Sequence, residues 1–400
     1  MSQTKKPTPA TRQPSGFQFA IADRIDFLNP EHWDHITRHH SVFLSRRYLA
    51  NAQEEFCEQI IRNFAIVYEH GNPIAAVATQ TFDVDGTQLV GAKTSDSFKP
   101  TDHLKRKSLS MIKRRIMLCG NVHTWGPHGV AIAEGASESD AWRGIADCLY
   151  RIRRSNRLHG QVDYVIVKDL FESDGYDATP LEPFRYRSLE TEPNMVLHLN
   201  AEWRSMDDYL ASLTKRYRAA AKKVLKPFQA GDLNICPVTN LGDEKDRLFE
   251  LYRAVASKAD VCLFGLSEST LPNLSTALGD DFATIGIRRN ESLIGFVTLI
   301  RDGDTAIGFY LGMDYDENEQ RPIYHALLLS VIDKAIQWRC KTISFGRTAL
   351  EAKSRLGCKP ETTTVWIRHR VPLLNMMVQQ ILKNVHHQEP PQRNPFKELA

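Results

Sequence analysis

Residues 322–348 read PIYHALLLSVIDKAIQWRCKTISFGRT, and the period of the apolar positions changes inside that stretch. Tyr324, Leu327 or Leu328, Val331, Ala335 and Trp338 recur at helical spacing, and Pro322 suits the first turn of a helix. Thr342 to Phe345 then reads as a strand running out at Gly346. Upstream, Thr305 to Leu311 is a further strand, joined to Pro322 by an acidic loop. Strands connected through a helix in this way imply an α/β or α+β layer structure.

The same order extends in both directions. Before this unit the sequence predicts a helix over Lys245 to Ala259, then strands Phe282 to Ile287 and Ser292 to Ile300 about the turn Arg288 to Glu291. After it come a short helix closed by Gly357 and a strand, Thr363 to Ile367. The first half repeats the pattern. Asn29 to Ile61 has helical spacing, and strands Phe64 to Tyr68 and Ile74 to Thr81 flank the turn residues His70 to Pro73. A basic helix-like stretch covers Asp102 to Arg115, and a strand, Asn121 to Trp125, runs into Gly126-Pro127-His128-Gly129. Ser137 caps a helix with the stripe Trp142, Ile145, Leu149 and Ile152; Val162 to Val167 and Asn194 to Leu199 are strands. Each half therefore reads as a mixed, mostly antiparallel sheet flanked by helices. The expected organisation is a disordered tail at 1–16, a domain at 17–200, a basic linking helix at 201–231, a second domain at 232–385 and a tail at 386–400. The length of 400 residues, beyond what one core usually supports, agrees with two domains.

Composition narrows the function classes. With 42% hydrophobic and 25% charged residues the chain is ordinary globular protein, and no apolar run is long enough to span a bilayer. The polar, Pro-, Thr- and Lys-rich start lacks the apolar core of a secretory signal. Seven cysteines are scattered with no CxxC pair, which fits free thiols in a reducing, cytoplasmic setting. A net charge of +3 argues against wholesale nucleic-acid binding. The runs Lys105-Arg106-Lys107 and Arg151 to Arg157 lack an accompanying aromatic RNA motif. His39-His40 and His386-His387 do not have metal-ligand spacing on a helix, so no metal is expected. Walker, nucleophile-elbow and dinucleotide motifs are absent.

Four stretches, FLSRRYLANAQ (43–53), DYLASLTKRYRAAAKKV (208–224), the 322–348 segment and EAKSRLGCKP (351–360), carry a resemblance to a known family. In order and type they resemble the GNAT superfamily of acyltransferases, and their doubling resembles the Fem-like transferases of peptidoglycan synthesis. The resemblance implies two tandem GNAT-like domains and direct transfer of an acyl group from acyl-CoA, a co-substrate and not a resident cofactor, to a small-molecule amine. The chain departs from the family at the coenzyme A loop. Where spaced glycines belong stands Asp314-Tyr315-Asp316-Glu317-Asn318-Glu319-Gln320-Arg321, with only Gln320 and Arg321 matching. The helical arm by which bridge-forming relatives hold transfer RNA is not evident either. Two alternatives therefore stand beside acyl-CoA: an aminoacyl-tRNA donor, and a non-catalytic ligand-binding protein.

Candidate residues follow from the chemistry of thioester aminolysis, which positions an amine, stabilises an oxyanion and moves a proton. The start of the helix at Arg321, Tyr324 and His325, with Gln320 before it, would hold the donor's phosphates, or is a capped helix behind a solvated acidic loop. Lys353 is implied by the resemblance to neutralise a phosphate or the reacting carbonyl, and Arg347 is comparable; both also read as surface residues. Tyr310 and Asp314 flank the end of a strand where the family places a base or a positioning carboxylate, and equally read as a core tyrosine and a turn aspartate. Trp125 and His128, in the Gly126–Gly129 turn, offer a stacking surface and a titratable group for the acceptor, or merely close a tight turn. Lys215, Arg218 and Lys222 share one helix face with Lys226 and have no interleaved acids from Thr214 to Gln229, which favours an anionic partner over a plain solvated face. Oligomeric state is not encoded in any motif.

Overall fold

The computed structural model describes residues 16–55, 58–85, 113–171, 176–229, 231, 233–258, 263–383, 391 and 393–397. Lys105-Arg106-Lys107, His386-His387 and most of both predicted tails lie outside the described residues. The first half contributes strands β1 (Phe17–Ala22), β2 (Ile61–Glu69), β3 (Asn72–Asp85), β4 (Lys113–Cys119), β5 (Val130–Ile132), β6 (Tyr164–Phe171) and β7 (Arg187–His198). Its helices are α1 (Pro30–Thr37), α2 (Arg46–Ala52) and α3 (Glu138–Ser155). Two helices, α4 (Met206–Ser212) and α5 (Lys215–Gln229), lead to β8 (Asn234–Pro237), α6 (Lys245–Ala256), α7 (Thr270–Leu278), β9 (Phe282–Arg289), β10 (Ser292–Asp302) and β11 (Thr305–Met313). There follow α8 (Tyr315–Gln320), α9 (Ile323–Gln337), β12 (Thr342–Ser344), α10 (Leu350–Arg355), β13 (Lys359–His369) and α11 (Pro372–Lys383).

All the strands join one sheet, ordered β1-β2-β3-β4-β6-β13-β7-β12-β11-β10-β9-β8, with β5 extending β4 along β3. Among the described residues, only β4–β6 and β11–β12 pair in parallel. The long helix of each crossover is α3 in the first half and α9 in the second, where the short α8 precedes it. The halves are thus equivalent mixed, mostly antiparallel α/β units in tandem. They are not separate in the sheet: β13 lies between β6 and β7, and β7 pairs with β12. The last strand of each half therefore belongs to the sheet region of the other.

Alternation along the strands builds the layers. Ala65, Val67, Ala75 and Val77 face α3, whose Trp142, Ile145, Leu149 and Ile152 are buried against them. Phe64, Ile66, Ala76 and Ala78 face the opposite side, in a core that runs on through Leu251, Phe296 and Ile307 of the second half. In the second half, Val297, Leu299, Ala306 and Ile343 meet α9. Asp302 fastens the halves by accepting the Ser41 hydroxyl at 2.7 Å and the Val42 N–H at 2.6 Å.

Several expectations are corrected. Lys113 to Arg115 open a strand and not the end of a helix, while residues 102–112 are not described. Asn121 to Trp125 is loop, because the chain leaves the sheet at Gly120 (φ 146°). The linking helix is broken at Leu213-Thr214, where the Thr214 N–H is taken by the Pro395 carbonyl at 2.8 Å. The same contact overturns the expectation of a tail at 386–400: Phe396 is packed against Trp203 and Tyr209 and bridges to Leu213. The acidic loop at 314–321 is a helix, α8, capped by Asp314. Pro193, inside β7, is tolerated because it falls at a bulge, where Glu192 and Pro193 oppose a single residue of β13.

Candidate active site

The second-half crossover creates a wedge. β11 and β12 pair from Thr305↔Thr342 to Ile307↔Ser344 and then part. Beyond the last pair, Gly308 to Leu311 of β11 are only half-buried. On its other side β11 bulges, with Phe309 and Tyr310 set against Thr298 alone. The Thr298 hydroxyl fills the gap, donating to the Tyr310 carbonyl and accepting its N–H, both at 3.0 Å. Bulges of this kind re-aim a strand beside a site. Sequence gave no sign of it.

Lys353 holds the other lip. Its buried ammonium donates to the Phe345 carbonyl at 2.6 Å and the Gly346 carbonyl at 3.3 Å. Burial lowers its pKa to about 8, with Cys358 acting in the opposite direction. Lys353 therefore fixes the exit of β12. The Gly346 N–H donates to Asn194 Oδ1 at 3.0 Å, and Ser344 Oγ donates to the same oxygen at 3.1 Å.

The first-half wedge, between β4 and β6, is closed by its own chain. Residues 120–129 leave the sheet and return, so β3 pairs with β4 up to Cys119 and again with β5 from Val130. The neck is tight: a Cβ on Gly129 would stand 2.3 Å from the Gly120 nitrogen. Trp125, at the tip, is contacted by two cations, with Lys168 Nζ at 5.0 Å and the Arg347 guanidinium at 4.6 Å from its ring centroid. Asp169 joins them, bonded to Lys168 and accepting from Arg347 at 2.6 Å and from the Gly126 N–H at 3.3 Å. Arg347 also donates to Thr363 Oγ1 at 2.7 Å. Asp169 is only 1% exposed, and although burial opposes its ionisation, the two cations keep its pKa below the usual carboxylate range. His128 is buried and donates from Nε2 to the Trp125 carbonyl at 2.8 Å; burial and then Lys168 push its pKa to about 3. It braces the loop through that bond, with its pKa held well below the ordinary histidine value.

Between the two wedges lies a cleft of about 610 Å³. Trp125, His128, Asn194, Ser344, Thr342 and Glu361 are among its walls. The structure thus brings together Trp125, His128, Arg347 and Lys353. Tyr310 joins them through its hydroxyl, which donates to the His123 carbonyl of the excursion at 3.4 Å. The other candidates lie apart. Asp314 caps α8 and faces Arg247 at 3.7 Å. Arg321 donates to Glu317 at 2.8 Å and to Gln320 at 3.3 Å, and the Tyr324 N–H is taken by Asn318 at 2.9 Å. Tyr324 has its pKa pushed to about 12 by burial, then by Cys358 and Tyr315; His325 stacks edge-on against it. That corner is a capped helix turn. Lys215 and Lys222 are exposed and Arg218 half-buried on α5, and among the described residues none of the three forms an ion pair. Reading the sequence missed Asn194, Lys168, Asp169 and Thr363. Pro193 inside a strand was the one available signal of a bulge beside Asn194.

Residues 211–354 match a protein-family model described as an acetyltransferase (GNAT) domain. A structure described as the crystal structure of FemX superposes with a TM-score of 0.54 at 11% identity, covering 90% of this chain and 99% of the other. A tandem GNAT protein from the clavulanic acid biosynthesis pathway, solved without AcCoA, gives 0.50 at 10% identity, with coverage of 89% and 99%. No curated protein matches in sequence. The fold is that of a tandem, Fem-like GNAT protein.

Proposed function

We propose that this protein is an N-acyltransferase that passes an acyl group from acyl-CoA directly to the amine of a small-molecule acceptor. The observation that carries this reading is the second-half wedge, where β11 and β12 separate after three parallel pairs opposite a bulge. A thioester lying in that opening would bring its carbonyl to the Ser344–Gly346 exit, at the floor of the cleft. The amine lone pair attacks the carbonyl carbon and the C=O π pair moves onto oxygen. Collapse re-forms the carbonyl, the C–S bond breaks with its electrons on sulfur, and the proton lost by the amine ends on the thiolate. The protein's part is positioning and stabilisation of charge, with no covalent enzyme intermediate. A cytoplasmic location is supported by the described cysteines, all of them unpaired. Isothermal calorimetry with acetyl-CoA and longer acyl-CoAs tests the donor; no heat of binding with any of them overturns it.

A second reading keeps the fold and takes aminoacyl-tRNA as donor. It is favoured by the unpaired cations of α5 and by the engagement of Arg321 with Glu317, which leaves that arginine committed where a coenzyme A diphosphate would sit. Binding of bulk tRNA whose log affinity falls steeply with log salt, and weakens with Lys215, Arg218 and Lys222 changed to Gln, supports it. Binding unaffected by those changes overturns it.

A further inference from the structure

Two N–H donors with no acceptor flank Gly346. Asn194 is 2% exposed, and its amide orientation is fixed because the Gly346 N–H, an obligate donor, bonds Oδ1. The amide nitrogen is therefore turned away from that contact, and among the described residues nothing accepts from it. The residue is buried, but this nitrogen is open to the cleft, where water or a ligand supplies its acceptor. On the other side, the indole Nε1–H of Trp125 lies so close that a Cβ on Gly346 would stand 3.0 Å from it. It too has no acceptor among the described residues, and Trp125 is 40% exposed, so water or a ligand in the cleft supplies one. Both side chains line the 610 Å³ cleft.

We propose that Asn194 Nδ2 and Trp125 Nε1 form a two-donor seat for the carbonyl oxygen of the acyl group in transit, and for the oxyanion it becomes. This rests on the acyltransferase reading above. Three features point to an oxygen that gains charge. The donors sit where β12 ends and the wedge opens. Lys168 and Arg347 beside the indole, bridged by Asp169, carry a net charge of +1 (two cations, one carboxylate), which withdraws electron density and strengthens the N–H as a donor. And both donors are held in place, Asn194 by its two accepted bonds and Trp125 by its contacts with two cations, so little reorganisation accompanies the charge change.

The test combines turnover with binding. Asn194→Asp keeps an oxygen for Ser344 and Gly346 and replaces the NH₂ by an oxygen; Trp125→Phe keeps an aromatic ring beside the cations and removes the N–H. Each variant, folded by circular dichroism, should lose about 10²-fold in kcat with little change in acceptor KM. Separately, ¹⁵N spectra follow the Asn194 Nδ2H₂ and Trp125 Nε1–H signals, assigned by their absence from the two variants, as sodium acetate is added to the wild type. Both signals should move together and saturate. Failure of either to move overturns the seat, as does an unchanged kcat in Asn194→Asp. Wild-type protein that transfers from no acyl carrier overturns the function reading instead, and the acetate titration then decides the seat by itself.

Discussion

The two wedges share a topology and differ in what fills them. In the first half, the strand that should border the opening is interrupted, and the ten residues 120–129 fold back into the space. In the second half the bordering strand only bulges, and Gly308 to Leu311 stay half-exposed. The first wedge has become a structural plug built on a buried charge network. The second stays open, and the paired residues at its base, Thr305, Ile307, Thr342 and Ser344, line the cleft. A duplicated fold can thus keep one opening for chemistry and convert the other into its support.

The contrast predicts unequal tolerance, beginning with the glycines that border each wedge. Gly129→Ala should have the largest effect, since its Cβ would stand 2.3 Å from the Gly120 nitrogen and 2.4 Å from the Cys119 carbonyl carbon. The neck must open, and urea unfolding should show a loss above about 4 kcal/mol, or no soluble protein. Asp169→Asn comes next. It leaves Lys168 and Arg347 as buried cations without their carboxylate and should cost about 3–5 kcal/mol in the same measurement.

Acid should weaken the plug before the open wedge. His128 titrates at about 3 in the folded protein, driven down by burial and then Lys168, and His123 at about 4, driven down by burial and then Arg62. Unfolded histidine titrates near about 6.5. Between these values the unfolded chain binds more protons, so stability falls as pH drops from about 6.5 towards 4, by a few kcal/mol in all. Urea midpoints against pH should show this slope, flattened in His128→Gln. The smallest effect belongs to the open wedge. A Cβ on Gly308 meets only the Ser344 carbonyl at 3.6 Å and the Phe345 ring at 3.8 Å. Gly308→Ala should shift the urea midpoint by less than about 1 kcal/mol. A large loss there would mean that the second wedge is as closely packed as the first.

Much of the fold was legible because its signals are local. The Trp142–Ile152 stripe, the Ser137 cap, the β2–β3 turn and the 322–348 helix and strand all lie where the spacing placed them. The misreadings share a cause. Asn121 to Trp125 has strand-like residues, but Gly120 takes the chain off the sheet. The 314–321 stretch looks like loop until Asp314 caps it as a helix. Phe396 looks like tail until Trp203 and Tyr209, nearly 200 residues earlier in the chain, supply its pocket. β1, β5, β8, α7 and α11 were not read at all, being short, edge-bound or weakly periodic.

For the site the division is sharper. The residue types at Trp125, Arg347 and Lys353 were visible, but not that Trp125 and Arg347 touch across the halves. Asn194 read as the mere start of a strand. By itself, the sequence determined the order of helices and strands, the doubling, and which faces are apolar, because periodicity and capping act within a few residues. Only the tertiary structure decided which charges are buried, which wedge is plugged and which N–H groups lack partners. Desolvation and hydrogen bonding depend on neighbours brought together by the β7 and β13 exchange, from segments about 150 residues or more apart, such as Asn194 and Ser344.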